Sequence, residues 1–124
     1  ILSVLNASIA STIIDFHVGG GAIGDVAANA TAFPHRDSML LMQVLAMWKA
    51  PVDPKKIFAW MDQVVAGGFA NTSSGAYVNF IDGRLVGWQE AYYGKAGGYE
   101  RLVEVKRRVD PTNLFRFRQS IGSK

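Results

Sequence analysis

At 124 residues, with 49% apolar and 19% charged residues, the chain has the make-up of a core-forming domain and not of a disordered tail. The lack of cysteine excludes disulfides, thiolate metal sites and a cysteine nucleophile. Its longest apolar run, Met39 to Trp48, contains Gln43 and falls short of the roughly 18 residues of a membrane span.

Ile1 to Ile14 has no decisive period, and helix and strand both stay open there. Thr12 to Val18 is rich in β-formers, and Gly19-Gly20-Gly21 then breaks the run. A glycine run can cradle phosphate only within a strand–turn–helix frame. Ala22 to Val26 instead predicts another short strand, so the glycines read as a turn. Met39 to Trp48 is almost wholly apolar, and periodicity does not separate a buried strand from a buried helix; its Leu, Met and Ala lean helical.

Asp53-Pro54 marks a helix start, a capping carboxylate followed by proline at the first helical position. The helix is predicted over Lys55 to Ala66, with Ile57, Trp60, Met61, Val64 and Val65 as a core stripe, and Gly67-Gly68 ends it. Ala76 to Ile81 reads as extended. Two helices follow, about Trp88 to Tyr93 and about Tyr99 to Val109, the latter with Leu102, Val105 and Val109 on one face. Asp110-Pro111 stops the second, because a residue before proline is pushed out of helical geometry.

The net charge is +3, and Lys106, Arg107, Arg108, Arg116, Arg118 and Lys124 carry much of the excess. Glu100, Glu104 and Asp110 are interspersed and no base-stacking motif accompanies the cations, so the stripe reads as a solvated surface and not as a nucleic-acid site. Three of the five asparagines, Asn6, Asn29 and Asn71, open glycosylation acceptor patterns, which leans toward a secreted protein. The polar Asn71 loop is the best acceptor of the three.

The later landmarks form an ordered set: Tyr77-Val78-Asn79-Phe80-Ile81-Asp82, Tyr92-Tyr93-Gly94, Tyr99-Glu100-Arg101-Leu102, Lys106, and Asp110-Pro111-Thr112-Asn113-Leu114-Phe115. Upstream stand Gly19-Gly20-Gly21 and Ala32-Phe33-Pro34-His35-Arg36. Together they resemble the C-terminal portion of a berberine bridge enzyme-like FAD-linked oxidase of the vanillyl-alcohol oxidase superfamily. The resemblance implies an α+β fold, with residues 1–70 in the antiparallel sheet of a substrate-binding domain and residues 71–124 completing a flavin-binding domain. It also implies a strand at Met39 to Trp48. The start at Ile1 accords with a fragment, expected to be inactive alone, whose partner is the remainder of the same flavoprotein. Relatives of this kind often tether FAD through His and Cys, and here any such Cys must lie upstream.

The resemblance assigns Tyr77, at the head of the Tyr-x-Asn-aromatic motif, as the catalytic and flavin-facing residue. A phenol is a weak base at neutral pH unless its anion is stabilised. Asn79, with a donor and an acceptor on one short arm, is implied to contact flavin or to fix the loop; bonding its own backbone is the bland alternative. Phe80 stands where a tyrosine is common. The glutamate base of the alkaloid-forming members is matched by Ala28, and no carboxylate lies between Asp25 and Asp37. That favours oxidation of an alcohol or carbohydrate hydroxyl over a carboxylate-driven cyclisation.

His35 and Arg36 read as a structural pair, and no histidine has a second ligand at metal spacing. Tyr92, Tyr93 and Gly94 are expected to pack the helices onto the flavin domain, and Asn113 and Phe115 to anchor the tail. The rivals are a non-catalytic flavoprotein-like scaffold or antigen and, more distantly, an autonomous basic binding module.

Overall fold

The computed structural model describes residues 10–68, 75–95 and 98–122. The elements in order are strand β1 (Ala10–Val18), a 3-10 turn (Gly21–Ile23), strand β2 (Leu40–Trp48) and helices α1 (Pro54–Gly68), α2 (Trp88–Tyr93) and α3 (Gly98–Val109). The fold is α+β. The chain forms two compact units, residues 1–18 with 40–73, and residues 19–39 with 74–124.

In the first unit β1 and β2 pair antiparallel along their whole length, from Ala10 opposite Trp48 to Val18 opposite Leu40. The helical lean of the Met39 to Trp48 composition yields to this pairing. Alternation puts Ile14, Phe16, Val18, Leu40, Met42, Val44 and Trp48 on one face, and Asp15, His17 and Gln43 on the other. Trp48 meets Phe58 of α1 edge to face, with ring centroids 5.9 Å apart. The Asp53 carboxylate accepts the Lys55 amide at 3.0 Å, the cap expected of Asp53-Pro54. Ile57 and Val64, two turns apart on α1, are buried; each contributes about 2 kcal/mol by leaving water. Val65 departs from the expected stripe and is 48% exposed, because the helix has only one covered face in this unit.

In the second unit the chain leaves β1 through glycines. A Cβ at Gly19 would strike the Ser38 carbonyl, and Gly20 and Gly21 take φ of 88° and 55°, which disfavour other residues. The strand expected at Ala22 to Val26 is absent. Its backbone closes local bonds, Ile23 N to Gly20 O and Gly24 N to Gly21 O, and so forms a 3-10 turn. Ala76 to Ile81 is also not extended: the Phe80 amide donates to the Tyr77 carbonyl at 2.9 Å and makes a turn.

Helices α2 and α3 are joined by rings. Trp88 and Tyr99 meet edge to face at 5.4 Å, and Tyr93 lies 5.9 Å from Tyr99. Tyr92 is only 2% exposed and packs inside this unit, which corrects its expected role on a separate domain. Glu100 in the first turn of α3 and Lys106, Arg107 and Arg108 in its last turn complement the helix dipole.

Asp110 ends α3 as a clasp. Its carboxylate accepts the amides of Leu114 at 2.7 Å and Phe115 at 3.1 Å and pairs with Lys106. The Lys106 ammonium and these two amides hold the Asp110 carboxyl below the usual carboxylate range. The tail anchor is therefore Asp110. Phe115 is 75% exposed, and Asn113 serves as a left-handed turn residue at φ 53°. Val109 is likewise exposed and not part of a covered face. Among the described residues no helix is long and apolar enough to cross a membrane.

Candidate active site

Tyr77 and Asn79 sit on the turn that opens the 76–82 loop, and the turn brings their side chains together. The Asn79 Nδ2 amide donates to the Tyr77 hydroxyl oxygen at 2.7 Å. The amide therefore reaches the phenol two residues before it. With one lone pair of the oxygen taken, the hydroxyl hydrogen is directed elsewhere.

Two aromatic edges frame the phenol. Phe33 meets the Tyr77 ring at 5.9 Å and 89°, and Phe80 meets it at 5.3 Å and 88°. Phe33 belongs to the Phe-Pro-His-Arg motif, so two motifs forty positions apart build one surface. The other members of that motif hold it in place. The His35 ring bonds the Ala76 carbonyl at 2.8 Å. Arg36 donates to the Phe33 carbonyl and to Thr31 Oγ1, and its guanidinium lies 5.0 Å from the Phe33 ring centre. His35 and Arg36 thus act as the structural pair expected of them.

A shallow cavity of about 240 Å³ opens beside this surface, lined by Ala32, Phe33, Tyr77, Val78, Asn79, Tyr92 and Tyr93. Burial, reinforced by the Tyr99 and Tyr92 phenols, raises the Tyr93 phenol above its ordinary value and keeps that ring neutral. The lining is mostly aromatic and apolar, with three phenols, those of Tyr77, Tyr92 and Tyr93, and the Asn79 amide as its polar side-chain groups. Such a donor set fits contact with one edge of a flat heteroaromatic ring, and a cavity of about 240 Å³ is too small to enclose a whole dinucleotide.

Ala28 lies on a separate groove of about 820 Å³, whose wall includes Arg36, Asp37, Lys95 and Arg101. Among the described residues no three His, Asp or Glu side chains converge as a metal site. The acceptors Asn6 and Asn71 lie outside the described residues, whereas Asn29 is exposed. Sequence reasoning missed Gln119, a buried amide whose Nε2 donates to the Asp82 carbonyl at 2.8 Å. Nothing in the basic stretch around it signals burial.

Residues 76–122 match the family described as Berberine and berberine like. Over 102 residues the chain is 37% identical to an FAD-linked oxidoreductase of Bacillus subtilis, covering 82% of the chain and 22% of that protein. It is 37% identical over 123 residues to Berberine bridge enzyme-like 28 of Arabidopsis thaliana, covering 82% and 23% respectively. It is 31% identical over 120 residues to an aclacinomycin-N/aclacinomycin-A oxidase of Streptomyces galilaeus, covering 82% and 22%. The chain thus spans between a fifth and a quarter of the length of the relatives it matches.

Proposed function

Because this chain belongs to the berberine bridge enzyme-like family of FAD-linked oxidoreductases, as a C-terminal portion, we propose that it supplies the proton-handling half of an oxidase active site. The substrate is an alcohol or a carbohydrate hydroxyl, and the partner that completes the site is the flavin-binding remainder of the same protein. FAD, when bound, would supply the hydride acceptor for the carbinol carbon, with oxygen as the final oxidant and peroxide as its product.

In its phenolate form Tyr77 takes the hydroxyl proton of the substrate and becomes the neutral phenol, while the carbinol C–H bond breaks with its electron pair leaving as hydride and the C=O bond forms. Asn79 holds an N–H on that same oxygen, a preorganised donor where negative charge must rest. Phe33 and Phe80 pack edge to face on the ring and fix its plane. The 2.7 Å bond between Asn79 and Tyr77 is the observation that carries this reading.

The exposed apolar residues of the tail, Leu114 and Phe115, and of the sheet, Phe16 and Val18, are the surfaces on which the rest of the flavoprotein docks. Exposure of Asn29 suits a glycan acceptor and supports secretion. The decisive experiment uses the full-length protein with its flavin, a panel of alcohols and oligosaccharides, and peroxide release as the signal. Tyr77→Phe lowers turnover by about a hundredfold to ten-thousandfold, the range of a general base, with flavin retained. Undiminished peroxide release by this variant overturns the assignment.

A further inference from the structure

The 76–82 loop is pinned at both ends to consecutive residues of α2. Upstream, the Ala76 amide donates to the Ala91 carbonyl at 2.8 Å. Downstream, the Asp82 amide donates to the Tyr92 hydroxyl at 3.0 Å, and Gln119 Nε2 donates to the Asp82 carbonyl at 2.8 Å. Two side chains from distant parts of the chain therefore grip the backbone of one residue from both sides. Both are deeply buried, Tyr92 at 2% exposure and Gln119 at 5%.

Gln119 is an expensive choice for that place. Its Oε1 is buried without a hydrogen-bond partner among the described residues, and an unmatched buried acceptor costs stability. An apolar side chain of the same size would pack without that cost. What Gln119 does that methionine or leucine could not is hold the Asp82 carbonyl. Asp82 stands two residues beyond the Tyr77–Phe80 turn, so its position sets where the phenol and the Asn79 amide point.

We propose that Tyr92 and Gln119 are positioning residues that aim Tyr77, a role resting on the reading of Tyr77 as the flavin-facing proton acceptor. Their hydrogen bonds fix the downstream end of the loop against α2 and thereby the distance from the phenol to the bound ring. Misplacement by about 1 Å is enough to cost on the order of a hundredfold in rate at such a site.

The test uses the full-length protein with its own flavin and needs no substrate. A phenol in contact with a flavin quenches its fluorescence by electron transfer, so the fluorescence decay reports their separation. Tyr77→Phe is expected to lengthen the decay. Tyr92→Phe and Gln119→Met should each lengthen it too, and should speed amide exchange over residues 76–82 by about tenfold. In a Tyr77→Phe background neither should alter the decay further.

If Tyr77→Phe lengthens the decay but Tyr92→Phe and Gln119→Met leave it unchanged, the positioning role is overturned and the reading of Tyr77 stands. Equal changes with and without the Tyr77 phenol also overturn it, since the effect then bypasses that ring. A decay indifferent to Tyr77→Phe removes the flavin-facing reading, and the positioning role with it. Should Gln119→Met fail to accumulate, Tyr92→Phe, which deletes a single oxygen, carries the same comparison.

Discussion

His35 and Ala76, far apart in sequence, are joined at 2.8 Å, and because a carbonyl only accepts, the imidazole Nε2–H is the donor. This tautomer ties the Phe-Pro-His-Arg motif to the residue just before Tyr77. The bond depends on a close approach at Gly75, where a Cβ would strike the His35 ring and come 2.9 Å from the Ala91 carbonyl.

Gly75→Ala therefore forces the imidazole and α2 apart. We expect about 1–3 kcal/mol of destabilisation, the usual cost of overpacking, together with reduced turnover. Denaturant unfolding of the full-length protein checks the first effect and peroxide release the second. A variant as stable and active as the parent would show that the loop accommodates the methyl group.

Asn79→Ala removes the amide that donates to the Tyr77 oxygen. Turnover should fall by about a hundredfold to a thousandfold, as when one donor to a charged oxygen is lost, with flavin content unchanged. Steady-state kinetics resolve the effect into kcat and KM. A change confined to KM would mean that Asn79 binds substrate and does not assist proton transfer.

The Asp110 clasp predicts an acid-sensitive contribution to stability. The folded-state value of this carboxyl lies below its unfolded value of roughly 3.9, because Lys106 and the Leu114 and Phe115 amides stabilise the anion. Its contribution is then fully present above the unfolded value and is lost as pH falls through the folded one. The Tm difference between parent and Asp110→Asn should stay constant from neutral pH to about 4 and shrink below it. A difference that narrows already between neutral pH and about 5 would sink the assignment.

Ile57 is fully buried on α1. Ile57→Ala should cost about 2–5 kcal/mol, transfer and cavity terms together, and lower the unfolding midpoint. A loss well below 1 kcal/mol, measured by denaturant titration, would mean that α1 collapses freely onto the space.

Where the sequence was legible, the signal was local. Asp53-Pro54 fixes a helix start through one side chain and one missing amide, and Trp88 to Tyr93 forms a helix over the span expected. The β1–β2 pair follows from β-rich and apolar runs that find each other as partners. Ala22 to Val26 has similar composition but no partner strand among the described residues, and the Ile23 and Gly24 amides close on carbonyls three residues back. Ala76 to Ile81, expected to be extended, turns at Tyr77–Phe80, and that turn is what joins Tyr77 to Asn79. Val65 and Val109 keep helical spacing yet lie exposed, since periodicity identifies a face and not whether anything covers it. The burial of Gln119 is set by a loop far upstream, which no window of sequence around it contains.

The two-ended anchorage of the 76–82 loop divides the labour among its residues. Ala76 and Asp82 act through backbone atoms, so what matters there is where the chain runs. Phe80 packs on the Tyr77 ring, whereas Val78 lines the cavity and makes none of the bonds that pin the two ends. A change at Val78 can therefore reshape the cavity wall while the Tyr77–Asn79 pair keeps its place, so the contour of this surface and the aim of its polar pair are free to vary separately.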